Sequence, residues 1–203
     1  MRGLLASTSF LVLALVAAQP AQAQRSITTA ITTPIDTATA TNGGPDNVTV
    51  TSTGSITVTS GAAITVSTAN NVDNAGTLSL NNVSNSDGIL VTTSGPANIT
   101  NSGTINNVED YTATDTDNDG DLDGPFAQGS NRFGIRTTGA LTGNITNSGT
   151  ITIEGNDSGG IKLGGPLTGA FRSTGNITVT GDRGIGIQTR DVTGNVYIAG
   201  TIG

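Results

Sequence analysis

The residues best suited to chemistry are five aspartates in one short stretch, Asp115-Thr116-Asp117-Asn118-Asp119-Gly120-Asp121-Leu122-Asp123. This reads D-x-D-x-D-G-x-x-D, the opening of a calcium loop. Ca²⁺ takes roughly six to eight hard oxygens, and alternate carboxylates converge on one ion when a glycine allows a sharp turn. The spacing makes Asp115, Asp117 and Asp119 side-chain ligands, with Gly120 at the turn. Asp121 offers its carbonyl, and Asp123 binds directly or through water. An EF-hand would next need a bidentate Glu, and Phe126 stands in that place, so a complete EF-hand is excluded. Glu109, Asp110 or a backbone carbonyl is left to complete the shell. The competing reading is a solvated acidic insertion that pairs with Arg132 and Arg136.

Other chemistry is closed off by composition. The chain has no His and no Cys, so neither a Ser-His-Asp nor a Cys-His system can be assembled. Between Ser26 and Asn131 there are eleven acidic residues and no basic one, whereas 132–203 holds six basic and four acidic residues. No basic stripe for nucleic acid results. Six Asn-x-Ser/Thr sequons occur, at Asn47, Asn82, Asn98, Asn144, Asn156 and Asn176. Three of them lie inside a repeated motif, which accounts for them without glycosylation. The glycines around Gly181, Gly184 and Gly186 lack the Lys-Ser/Thr of a phosphate loop.

The elements that must position the aspartates show in that repetition. Asn144-Ile145-Thr146-Asn147-Ser148-Gly149-Thr150-Ile151 duplicates residues 98–105. Weaker copies centre on Gly54, Gly76, Gly103, Gly149, Gly175 and Gly200, at spacings of 22, 27, 46, 26 and 25. The 46 is one coil plus an insertion of about 20 residues, near 109–128. Gly134-Ile135, Gly160-Ile161 and Gly186-Ile187 keep a step of 26. Alternate residues form columns that read aliphatic, Asn or Ser, Gly, aliphatic, aliphatic: Val50, Ser52, Gly54, Ile56, Val58 in one copy, and Ile145, Asn147, Gly149, Ile151, Ile153 in another. The residues between them are mostly Thr, Ser and Asn. Period-2 alternation repeated at a fixed longer step means stacked strands. The expected fold is all-β, a right-handed parallel β-helix or solenoid of about six coils of 22–27 residues, with one acidic loop insertion. Inward Asn forms a ladder of amide hydrogen bonds, and corner Gly supplies a φ > 0 turn. An antiparallel sandwich is the competing all-β reading, but it has no need of near-identical copies.

Such stacking suits a chain that is 34% hydrophobic, 3% aromatic and contains 29 glycines, because small β-branched side chains bury well in regular columns. Residues 1–23 read as a signal peptide: Met1-Arg2, an apolar run, then Ala21-Gln22-Ala23 as cleavage site. Residues 24–45, with Pro34, Pro45 and Gly43-Gly44, read as a leader or N-terminal cap, partly disordered; 46–203 is the solenoid, expected to be truncated at its C-terminus.

The signal peptide, the Gly-Asn-Ile-Thr-Asn-Ser-Gly-Thr-Ile coils and the lack of Cys resemble the passengers of type V autotransporters of Gram-negative bacteria. Asp115 to Thr152, with Gly124-Pro125-Phe126 and Arg132-Phe133-Gly134-Ile135, is similar to passengers found in alphaproteobacteria. The resemblance implies Sec-type export to the periplasm, then display at the cell surface by a C-terminal outer-membrane β-barrel, which is missing from this sequence. It also implies a structural or adhesin-like stalk that meets a surface or extracellular ligand, with no membrane span in the mature chain. The alternatives are a fragment of a polysaccharide-acting β-helix enzyme, or a truncated reading frame without independent function. Against the enzyme, the carboxylates crowd one loop instead of flanking a cleft.

Overall fold

A computed structural model of the chain describes residues 24–203; the expected signal peptide lies outside the described residues. Three long parallel sheets run along the molecule; each of the first six coils contributes one strand to each of them, and the last coil only to the first. The first sheet stacks Gln24–Ile27, Asn47–Val50, Val72–Asn74, Ile99–Asn101, Ile145–Asn147, Phe171–Ser173 and Val196–Ile198 in that order. The second stacks Ala30–Ile31, Ser55–Val58, Thr77–Asn81, Thr104–Val108, Thr150–Glu154 and Asn176–Thr180. The third stacks Ile35–Asp36, Ala62–Val66, Ser86–Val91, Arg132–Thr137, Gly159–Leu163 and Ile185–Gln188. All strand pairs in these sheets are parallel, and no helix occurs among the described residues. The fold is thus a β-solenoid of about seven turns, one more than the glycine spacing implies. The extra turn is residues 24–36, whose three strands pair with the coil beneath them.

Alternation decides what is buried. Ile56, Leu78, Ile105, Ile151 and Ile177 form one inward column, and Ile64, Ile89, Ile135 and Ile161 another. Burying each of these side chains contributes about 1.5–3 kcal/mol. In the last coil, Val196, Ile198 and Ile202 continue the inward columns yet are about half exposed, since a strand packs on only one side of them.

The corner glycines are required for a reason other than the expected one. None of Gly54, Gly76, Gly103, Gly149, Gly175 and Gly200 has a positive φ. A Cβ at Gly149 would instead lie 2.0 Å from the carbonyl oxygen of Gly103, and one at Gly175 1.8 Å from that of Gly149. Stacked corners approach too closely for any side chain. Left-handed turns fall elsewhere, at Asn85, Asn131, Asp157 and Arg183.

The inward amides form the expected ladder, but from a different starting point. Asn74 Nδ2 donates to Asn101 Oδ1 at 2.7 Å, and Asn101 Nδ2 donates to Asn147 Oδ1 at 2.8 Å. Asn147 Nδ2 then reaches Ser173 Oγ at 3.5 Å. Ser52 does not belong to this column; it is exposed, and Val50 pairs with Asn74. The corner after Val50 is two residues longer than the corner after Asn74, which shifts the register while preserving the inward parity. With Val50 above it, Asn74 Oδ1 is buried without a partner.

A second ladder runs along the surface. The Asn71 amide N–H donates to Asn47 Oδ1, that of Asn98 to Asn71 Oδ1, and that of Asn144 to Asn98 Oδ1, at 2.8, 2.8 and 3.0 Å. Asn98 and Asn144 therefore use their side chains in stacking.

Candidate metal centre in the acidic insertion

The insertion leaves the rod after Thr104–Val108 and returns at Arg132–Thr137. The coils on either side of it stack directly, Ile105 on Ile151 and Ile89 on Ile135, so the solenoid continues unbroken beneath the loop.

A buried ion pair closes the base. Arg132 Nη1 lies 2.9 Å from Glu109 Oε2, with the two side chains 2% and 4% exposed. The remaining lone pairs of Glu109 are filled by the exit of the loop: the backbone N–H groups of Gln128 and Gly129 donate to it at 2.6 and 2.8 Å. Arg132 donates in turn to the carbonyls of Val83 and Glu154. This pairing was half legible in the sequence, where Arg132 stood as a partner for the acidic stretch. Glu109 is correspondingly unavailable as a metal ligand. Asp110 is also committed, accepting from Asn81 Nδ2 at 2.8 Å and Asn82 Nδ2 at 2.7 Å. Those two bonds hold its pKa below the usual carboxylate value.

Further out, three of the five sequence-expected ligands come together. Asp115, Asp117 and Asp123 each place one carboxylate oxygen within 4.8 Å of the others. Oxygens on one Ca²⁺ at about 2.4 Å can be no more than about 4.8 Å apart, so the cluster has the dimensions of a first coordination sphere. Asp123 is brought back by a bridge to Thr114, its N–H donating to the Thr114 carbonyl at 3.0 Å. Asp115 is oriented by the N–H groups of Asn118 and Gly120, at 2.6 and 3.1 Å. The Thr116 hydroxyl and its backbone N–H both donate to Asp123 Oδ2, and these bonds hold the Asp123 carboxyl below its ordinary pKa. Thr116 gave no signal in the sequence, since its type is the commonest filler of this chain.

Asp119 and Asp121 are not among the three clustered carboxylates; the expected contribution of Asp121 is its carbonyl, on which the grouping of carboxylates does not bear. Asn118 and Gly120 both adopt positive φ, 61° and 101°. The Asp119 carboxylate accepts from the N–H of Asp121 at 3.1 Å, and the Asp121 side chain is exposed. Gly120 does supply the expected turn.

The arrangement can therefore offer three carboxylates and adjacent loop carbonyls to a hard cation, on a loop whose base is fixed to the rod. Compared with known proteins, the chain matches no family model, and no curated protein and no solved structure is found to be similar to it.

Proposed function

We propose that this chain is an exported structural and interaction module, a stalk-like segment of an autotransporter passenger, whose acidic insertion binds calcium at the surface of the rod. The observation that carries the reading is the convergence of Asp115, Asp117 and Asp123 on a loop closed by the buried Arg132–Glu109 pair. Three carboxylates held within 4.8 Å repel one another, and a divalent cation relieves that repulsion. The same crowding argues against glycoside hydrolysis, which needs two carboxyls on opposite sides of a bound sugar. A solenoid with filled inward columns presents its insertions outward, as a display scaffold does. Export and surface display rest on the sequence resemblance, with the β-barrel translocator as the expected partner.

The test is calorimetric titration of Ca²⁺ into the purified chain. The expected result is saturable binding with a dissociation constant of roughly 0.1–1 mM, as in extracellular calcium modules. Asp115→Asn and Asp123→Asn each abolish it, while Asp121→Asn leaves it within about threefold. Absence of both heat and thermal shift at about 10 mM Ca²⁺ overturns the metal assignment. Calcium-dependent release of unsaturated products from a uronic-acid polymer overturns the non-catalytic reading.

A further inference from the structure

The outer face of the third sheet carries a second concave site, separate from the acidic insertion. It is a depression of about 390 Å³, at the lower end of the range for small-molecule sites. One column creates it. Ala62, Asp87, Phe133, Gly159 and Ile185 stack in register, and Gly159 leaves a step between two large apolar side chains. A Cβ at residue 159 would lie 3.0 Å from the Ile185 carbonyl oxygen and 3.4 Å from the Phe133 ring, so any side chain there would fill the step.

The adjoining column supplies charge. Arg136, Lys162 and Gln188 stack in register. Arg136 is neutralised by a bidentate bond to Asp87, and Arg183 at the rim by a bidentate bond to Asp157. Lys162, the third cation of this face, is in no ion pair among the described residues. Its Nζ lies over the Phe133 ring, 5.0 Å from the centroid. The site thus offers one uncompensated ammonium beside an Ile185 side chain that is 43% exposed, with the amides of Asn131 and Gln188 in the lining.

The rim is held at a conformational cost. Asn131, Asp157 and Arg183, which line the depression, have φ between 54° and 57°, as does Asn85 outside it. Asn and Asp tolerate that region; Arg does not. Arg183 makes a bidentate bond to Asp157, and both line the depression. Backbone strain of this kind concentrates where a side chain must be aimed.

We propose that this step binds one carboxylated sugar residue. Lys162 receives the carboxylate, Ile185 packs against the C–H face of the ring, and the Gln188 amide meets its hydroxyls, the Asn131 Nδ2 being already bonded to Asn85 Oδ1 at 3.1 Å. The chain's net charge of −7 repels anions at long range, so recognition depends on Lys162 locally. The proposal does not rest on the calcium loop.

The experiment is an amide-resolved NMR titration of the purified chain with sodium glucuronate, glucose and sodium acetate at equal ionic strength. The expected result is saturable shifts from glucuronate at residues 159–162 and 183–188, with glucose and acetate each at least about tenfold weaker. Lys162→Gln weakens glucuronate by a similar factor, and Gly159→Ala reduces it while leaving the circular dichroism of the solenoid unchanged. The proposal is overturned by glucose or acetate binding as well as glucuronate, by Lys162→Gln without effect, or by no saturable shift at about 50 mM.

Discussion

The buried amide ladder makes an unequal demand on its members, and a pair of substitutions exposes it. Asn101 sits in the middle: it accepts from Asn74 at 2.7 Å and donates to Asn147 at 2.8 Å, fully buried. Asn101→Val strands two groups. Asn74 Nδ2 keeps only a long 3.4 Å contact to the Thr104 carbonyl, and Asn147 Oδ1 keeps no side-chain donor. A buried unpaired polar group costs about 1–3 kcal/mol, so the loss is about 2–5 kcal/mol after the small gain from burying Val. Asn74→Val strands one group, Asn101 Oδ1, but removes another that already lacks a partner, Asn74 Oδ1. The two effects offset, and Val50 directly above provides a matching apolar surface. The expected change is within about 1 kcal/mol. Urea unfolding followed by circular dichroism measures both, provided the slope with denaturant is unchanged. Equal losses for the two variants would refute the ladder as a directional chain of bonds. A neutral Asn101→Val would refute it as a source of stability.

Two further outcomes follow from the insertion. Glu109→Gln leaves Arg132 buried without its counter-charge, which should cost about 3–5 kcal/mol in the same unfolding measurement and loosen the loop toward limited proteolysis. The Asp123 carboxyl, held below its unfolded value by Thr116, stabilises the loop above that unfolded pKa, and the contribution is lost as pH falls through the lower folded one. Its carboxyl carbon should therefore titrate below the ordinary value of 3.8 by NMR, and Thr116→Val should move the midpoint upward.

Much of this architecture is legible in residue spacing because a solenoid writes its period into the chain. Ile135, Ile161 and Ile187 recur at the coil length, and they stack in that register. The duplicated octapeptides also stack residue on residue. Legibility failed where corner length varied. Aligning Gly54 with Gly76 puts Val50 beside Val72, whereas Val50 lies beside Asn74, because corners absorb two residues without changing which face is buried. The corner glycines show another limit. A glycine column looks the same whether it serves positive φ or close stacking, and only the distance between neighbouring coils separates the two. In the insertion, the motif located the loop and its turn, but not which of its carboxylates converge. The step of 26 also aligns Phe133, Gly159 and Ile185, but does not reveal the concave surface that their unequal side chains leave on the outer face.

That the rod runs unbroken beneath the insertion can be tested in one measurement, helped by the absence of native cysteine. Thr100 and Thr146 lie 46 residues apart in sequence but are direct register partners in the first sheet. Neighbouring strands stand about 4.8 Å apart, within the roughly 4.4–6.8 Å that a disulfide spans between Cα atoms. The double variant Thr100→Cys, Thr146→Cys should oxidise to an intramolecular disulfide in nearly full yield, read by intact mass, with its circular dichroism unchanged. Thr100→Cys paired with Thr178→Cys, on a different sheet, should not. Failure of the first pair to close, or equal closure of both, would contradict the direct stacking of the coils on which the displayed loop depends.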